Sequence, residues 1–475
     1  MRNIPVLIFI LVFFALSGFA QSGRIGPTTS VTDSAVVELN NLTAERMFTE
    51  ASTYAKTKFA EFEQKKVSYG NSVYKKILLE QKQLAARYAA VLLTRTTLAG
   101  DDFYYLGMLH WIAENTDGAF ENLQKFLAIE KPDAEKLQTA RTAVVTIQAR
   151  RKNFDEAEKI FAEYLKTEPL KLLERAKMDT ELAIAYQTEK NFTRAAPHAE
   201  ESYRAAKALF TSWSSRADGL NVINNAGIRL FEIYKQDGKL PEADKTLDDL
   251  RKTGVLIQSN GVYYAAVDLK IKYLIETGRK PLALQTYAET LAQAKKDFAL
   301  ESMQKGIVDS LKKRENHYKL LGETAVELTN IDKWLPGEMQ TLASLRGKVV
   351  VLDFWATWCT PCINAFPALT EWHQTFQKDG LVILGVTRYF GEVLGTKMDK
   401  PMEAEYLANF RKTHNLPYDF VIATEQTNQT TYGAKAMPTT VLIDRKGIVR
   451  YIETGASASR KEEIRKEIEK LLSEK

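Results

Sequence analysis

Val349-Val350-Val351-Leu352-Asp353-Phe354-Trp355-Ala356-Thr357-Trp358-Cys359-Thr360-Pro361-Cys362 is an apolar, β-branched run that ends in two cysteines with two residues between them. Val349 to Trp355 reads as a strand, and from Pro361 onward Ile363, Phe366, Leu369, Trp372 and Phe376 fall at helical spacing. Cys359 and Cys362 are the only cysteines in 475 residues. Any thiol chemistry is therefore confined to neighbours at the point where a strand feeds a helix, and such a pair reads as a redox pair.

The spacing suits the chemistry. A free cysteine has a pKa of about 8.5, so a nucleophilic thiol needs surroundings that favour its anion. Unpaired N–H groups and the positive end of the dipole at a helix start supply this to the first sulfur. Cys359 is thus the expected attacker. Cys362, three positions on and on the same side of the first turn, can reach back and resolve a mixed disulfide. Pro361 fits a first turn, where a missing N–H leaves nothing unsatisfied.

With its Gly347-Lys348 lead-in, this string resembles the thioredoxin superfamily, in particular its TlpA/ResA-type bacterial branch. Met437-Pro438-Thr439-Thr440-Val441-Leu442-Ile443-Asp444, followed by Gly447, resembles the superfamily's cis-proline loop and the strand and turn after it. The resemblance covers roughly the last third of the chain and implies a thioredoxin-like α/β fold over 322–475. It implies Cys359 as nucleophile, Cys362 as resolving thiol and a cis bond before Pro438. It further implies a substrate edge made by Trp358, Met437, Pro438 and Thr439, with the Met437 backbone pairing with an extended polypeptide. Asp353 matches the superfamily's buried acid, which takes the Cys362 proton through water. Two positions depart from the ResA type: Ala365 stands where a glutamate is usual, and Asp353 where asparagine is frequent.

Around Cys359 and Cys362 the module reads as a short hairpin over 325–345, strands at Leu381 to Val386, Thr440 to Asp444 and Ile448 to Ile452, and helices near Glu403 to Thr413 and from Ser459. Upstream, from Ala35 to Leu321, the chain is rich in Ala, Leu, Glu, Lys and Tyr, poor in Pro, and helical in period. Related turns recur, as in Lys152-Asn153-Phe154-Asp155-Glu156-Ala157 and Lys190-Asn191-Phe192-Thr193-Arg194-Ala195. Their closing alanines, Ala119, Ala157, Ala195, Ala243 and Ala283, are 38, 38, 48 and 40 residues apart. Paired helices at this period resemble tetratricopeptide units, which stack into a concave surface suited to a protein partner. The fold class is thus an all-α TPR-like array over 35–321 followed by the α/β module.

Met1-Arg2-Asn3 and the apolar run Ile4 to Ala20 read as a signal peptide over 1–20, cleaved after Ala20, with a flexible lead-in over 21–34. Left uncleaved, the run would anchor the protein in a membrane. Either outcome places the body of the chain in an exported, periplasmic or extracytoplasmic setting. There a lone cysteine pair has no structural disulfide beside it and must cycle with partners.

A net charge of +5 with acids and bases interspersed gives no nucleic-acid footprint. His110, His198, His317, His373 and His414 lack ligand spacing, so no metal is expected, and no glycine-rich nucleotide motif calls for a cofactor. His373 is read as a packing or surface residue. The function expected is thiol-disulfide exchange with disulfide-containing or dithiol proteins, the pair being recharged by an upstream thiol donor. Its rival is a scaffold in which the array holds a partner and the last module only binds.

Overall fold

The computed structural model describes residues 41–393 and 395–474. The signal segment and lead-in expected over 1–34 lie outside the described residues. No helix of the described residues is long and apolar enough to cross a membrane. The chain divides into two compact units, 1–246 and 247–475.

The first unit is helical: α1 (Ala44–Gln64), α2 (Asn71–Leu93), α3 (Asp102–Ile112), α4 (Thr116–Leu127), α5 (Ala134–Arg150), α6 (Phe154–Leu165), α7 (Leu172–Thr188), α8 (Phe192–Ala208) and α9 (Arg216–Gln236). The division from the second unit falls within α10 (Leu240–Leu256), and α11 (Asn260–Glu276), α12 (Lys280–Asp297) and α13 (Glu301–Leu320) follow.

The recurring turns have one local design. A residue in the left-handed region ends each preceding helix: Glu114, Lys152, Lys190, Gly238, Gln258 and Gly278. The next N–H then reaches back to a carbonyl of the last turn, as in Asn153 N to Gln148 O and Asn191 N to Tyr186 O, both 2.9 Å. This satisfies carbonyls that the helix end would leave orphaned. Asn115 and Asn191 then cap the following helix through their side chains. All five closing alanines are fully buried, so the small side chain marks where helices approach most closely.

The second unit carries a six-stranded mixed sheet in the order β1 (Ile331–Leu335), β6 (Asp419–Ala423), β3 (Leu381–Arg388), β2 (Val349–Phe354), β7 (Thr439–Ile443) and β8 (Val449–Thr454). β2, β3 and β6 run parallel, while β1, β7 and β8 are antiparallel to their neighbours. A two-stranded ribbon of β4 (Glu392–Val393) and β5 (Thr396–Lys397) was not anticipated. The remaining helices are α14 (Thr360–Ile363), α15 (Phe366–Phe376), α16 (Lys400–Thr413), α17 (Thr427–Thr431) and α18 (Ala458–Ser473). This is a thioredoxin-like fold.

Two local expectations need correction. Residues 325–345 form no hairpin: β1 pairs with β6, and the Glu327 carboxylate instead accepts the N–H groups of Leu342 and Ala343 at the start of a 3-10 turn. The apolar period running on from Pro361 is carried by two helices, because Pro367 has no N–H to donate and its ring crowds the carbonyl one turn back.

Alternation along the strands sends side chains to two cores. Val349, Val351 and Trp355 join Ile383, Phe420 and Leu442 beneath α15, α16 and α18. Val350, Leu352 and Phe354 join Val386, Val421, Val441 and Ile452 in a core that continues into Tyr263, Val267, Ile271, Ile307 and Leu311 of α11 and α13. The sheet's second face therefore shares its core with helices that precede the module. For the turn chemistry, Asn191→Ala should lower stability by about 1 kcal/mol, the usual cost of a lost N-cap, as measured by denaturant unfolding of the full chain.

Candidate functional site

The cysteines follow the C-terminal end of β2, where Trp355 N donates to Val386 O at 3.1 Å before the chain turns outward. Cys359 is the N-cap of α14, and Cys362 N donates to its sulfur at 3.2 Å. The two sulfurs are joined as a disulfide. They differ in access: Cys359 is 4% exposed and Cys362 is fully buried, with Thr360 and Pro361 exposed between them. An approaching thiol or disulfide therefore meets Cys359 first. Because α14 is a single short turn, local N–H groups rather than a long helix dipole surround that sulfur.

Asp353 lies in the middle layer of the sheet, paired in register with Gly385 of β3 and Thr440 of β7. The residue is 1% exposed; Thr440 Oγ1 donates to Oδ1 at 3.4 Å, and Oδ2 has no hydrogen-bond partner among the described residues. Burial pushes the carboxyl up to about 7, the Thr440 hydroxyl opposing it only in part. A group that exchanges its proton near neutrality thus sits on β2 itself, at the root of the cysteine loop.

Two further elements converge on this end of the sheet. Phe354 is paired with Thr439, so the loop entering β7 reaches the edge from which the cysteine loop departs. The Met437–Pro438 bond in that loop is cis, Met437 packs against the core that contains both cysteines, and Pro438 is buried with its carbonyl accepting Gly455 N at 2.8 Å. Thr439 is fully buried, its hydroxyl donating to Ala436 O at 2.7 Å and lying 3.0 Å from Thr454 Oγ1. That hydroxyl braces the loop from within. Trp358 is 60% exposed.

Residues with no signal in the cysteine motif complete the wall beside Trp358. Phe390 meets its ring edge-on at 5.7 Å, and the Arg388 guanidinium lies 4.2 Å from the centre of the Phe390 ring. The buried Glu403 carboxylate fixes this turn by accepting Phe390 N at 2.8 Å and Gly391 N at 2.9 Å. Tyr389-Phe390-Gly391, an aromatic pair and a glycine closing a strand, is the sequence signal that could have pointed here. Of the histidines, His373 packs on Tyr418, and His198 bridges Asp179 and Glu158. Burial lowers the His198 pKa, but the two carboxylates outweigh it and hold the group at about 9.

The chain matches the AhpC/TSA family over residues 322–452. Thiol-disulfide oxidoreductase ResA of Geobacillus thermodenitrificans is 34% identical over 151 residues, 32% of this chain and 78% of that protein. The chain belongs to the ResA family of thiol-disulfide oxidoreductases. Thioredoxin-like protein YneN of Bacillus subtilis is 31% identical over 131 residues, 28% of this chain and 71% of that protein. Among solved structures, a thiol:disulfide interchange protein of the thioredoxin family from Chlorobium tepidum is 23% identical; the match covers 32% of this chain and 97% of that one, with a TM-score of 0.26.

Within this ResA-type module Asp353 carries a measurable signature. The folded carboxyl keeps its proton up to about pH 7, whereas an ordinary one releases it near 3.8, so ionisation costs stability as the pH rises through that window. Asp353→Asn should therefore stabilise the protein by up to about 4 kcal/mol above neutrality, by less than half of that near pH 5 and hardly at all below about pH 4. Thermal unfolding compared at about pH 5 and about pH 8 checks this; an equal shift at both would contradict it.

Proposed function

We propose that this chain is an exported thiol-disulfide oxidoreductase that reduces disulfides of extracytoplasmic proteins through Cys359 and Cys362. The observation that carries the reading is a disulfide whose Cys359 end keeps slight solvent access while Cys362 has none, with a buried carboxyl that titrates near neutrality on the strand leading into it. In the reduced state the Cys359 thiolate attacks a substrate disulfide. One substrate sulfur leaves as thiolate and takes up a proton, and Cys359 is left in a mixed disulfide. Asp353 accepts the Cys362 proton; the Cys362 thiolate then attacks the Cys359 sulfur and expels the second substrate thiol. Two electrons have passed to the substrate, and the pair stands as the disulfide present here. An upstream dithiol donor restores it.

The substrate edge combines Trp358 with the main chain around Met437 and Pro438, which can align an extended peptide without reading its sequence. The array over 35–321 is read as TPR-like, offering a surface for a protein partner. Export rests on the apolar leader Ile4 to Ala20.

Insulin reduction tests the reaction. The intact protein should be active, and Cys359→Ser should abolish activity; an inactive intact protein would leave only a binding role. Cys362→Ser should accumulate mixed disulfides with natural substrates through Cys359, visible on non-reducing gels and lost on reduction. Asp353→Asn should slow resolution of the mixed disulfide more than its formation in stopped-flow traces, and equal slowing of both steps would remove Asp353 from the proton transfer.

A further inference from the structure

We propose that helix α13, through His317 and Arg314, positions the Tyr432 to Pro438 loop on which substrate docks, so that the helical segment before the module is a working part of the redox site. This rests on the reading of Met437 and Pro438 as the docking edge.

The loop is held at both ends. At its start, His317 Nε2 donates to Gly433 O at 3.0 Å, and Asn316 Nδ2 donates to Thr430 O at 2.9 Å. Gly433 adopts φ +66°, and a methyl group there would lie 2.8 Å from the His317 ring, so the backbone is shaped to receive the imidazole. At its end, Pro438 O accepts Gly455 N, and Thr439 and Thr440 are paired with Thr454 and Glu453 of edge strand β8. Glu453 is where α13 takes hold again. Its buried carboxylate receives Arg314 Nη2 at 2.6 Å, Arg460 Nη2 at 3.2 Å and Lys272 Nζ. Lys272 in turn binds Asp268 at 2.6 Å, which accepts the Tyr318 hydroxyl at 2.7 Å.

Arg314 joins the two grips. Its Nη1 lies 3.3 Å from His317 Nδ1, which must accept, leaving Nε2 protonated toward Gly433. Burial, aided by the charge of Arg314, holds the imidazole down to about 4 despite Gly433 O and Glu453, so this arrangement is neutral throughout the working range. Burying a carboxylate with three cations is a costly way to gain stability, since apolar groups of similar size often serve as well. Its distinctive result is a fixed register between α13 and β8, the strand beside the loop.

The full-length protein tests this. His317→Ala removes the donor to Gly433; His317→Gln keeps one; Lys280→Ala loosens the end of α13, where its Nζ binds Lys319 O and Leu321 O, without touching the loop. Each variant is assayed on insulin, which needs the docking edge, and on hydroxyethyl disulfide, which does not. His317→Ala should raise KM for insulin about tenfold and leave the small disulfide within about twofold, the scale on which misplaced positioning groups act. His317→Gln should restore most of the loss, and Lys280→Ala should leave both substrates unchanged. Should His317→Ala fail to fold, Arg314→Lys, which keeps the charge but loses the fork that reaches both His317 and Glu453, gives the same comparison. An unchanged insulin KM, or parallel loss on both substrates in the alanine and glutamine variants alike, overturns the proposal. Pro438→Ala separates the two ideas: if it alters insulin KM while His317→Ala does not, positioning by α13 fails by itself; if neither does, the docking edge fails with it.

Discussion

Strand β2 must be buried on both sides. Val350, Leu352 and Phe354 alternate with Val349, Val351 and Trp355, and every residue from Val349 to Phe354 is inaccessible to solvent. Neither face can be left to water, because each apolar side chain there contributes of the order of 1.5–3 kcal/mol only when covered. One face is covered by α15, α16 and α18; the other shares its core with α11 and α13. The helices that precede the thioredoxin-like module are part of its interior, which explains why the compact unit begins at Leu247 and not at the start of the sheet.

The same burial creates the chemistry. Asp353 occupies an odd position of β2 and is carried into the interior with its apolar neighbours, where one weak bond from Thr440 does not offset lost hydration. Its proton is held to near neutrality for that reason. The next turn of chain leaves Cys359 slightly accessible while Cys362 is fully enclosed. Strand geometry thus sets both the depth of the acid and the difference in access between the sulfurs.

The chain announces its site more openly than its supports. Cys359, Cys362, Asp353 and the Met437-Pro438 loop are legible because each occupies a fixed offset in a local string, and local strings survive folding unchanged. Phe390, Arg388 and Glu403 come to lie beside Trp358 across gaps in sequence that no periodicity encodes. The 325–345 stretch misled for the opposite reason: its segments have strand character, but the partner that β1 needed was β6, far along the chain. The break between α14 and α15 was open to view in Pro367, whose missing N–H outweighed an otherwise continuous apolar period.

By itself the sequence determined the thiol chemistry, the helical character of the first two thirds and the sheet module of the last third. These follow from residue type and short-range spacing, which dictate reactivity and local conformation wherever the chain goes. Only the tertiary structure decided which helices cover the second face of the sheet, that Glu453 gathers Lys272, Arg314 and Arg460, and that His317 reaches Gly433 across more than a hundred residues. Those contacts depend on long-range packing. A buried charge or imidazole can settle only where partners from distant segments arrive together, and no stretch of sequence states that meeting in advance.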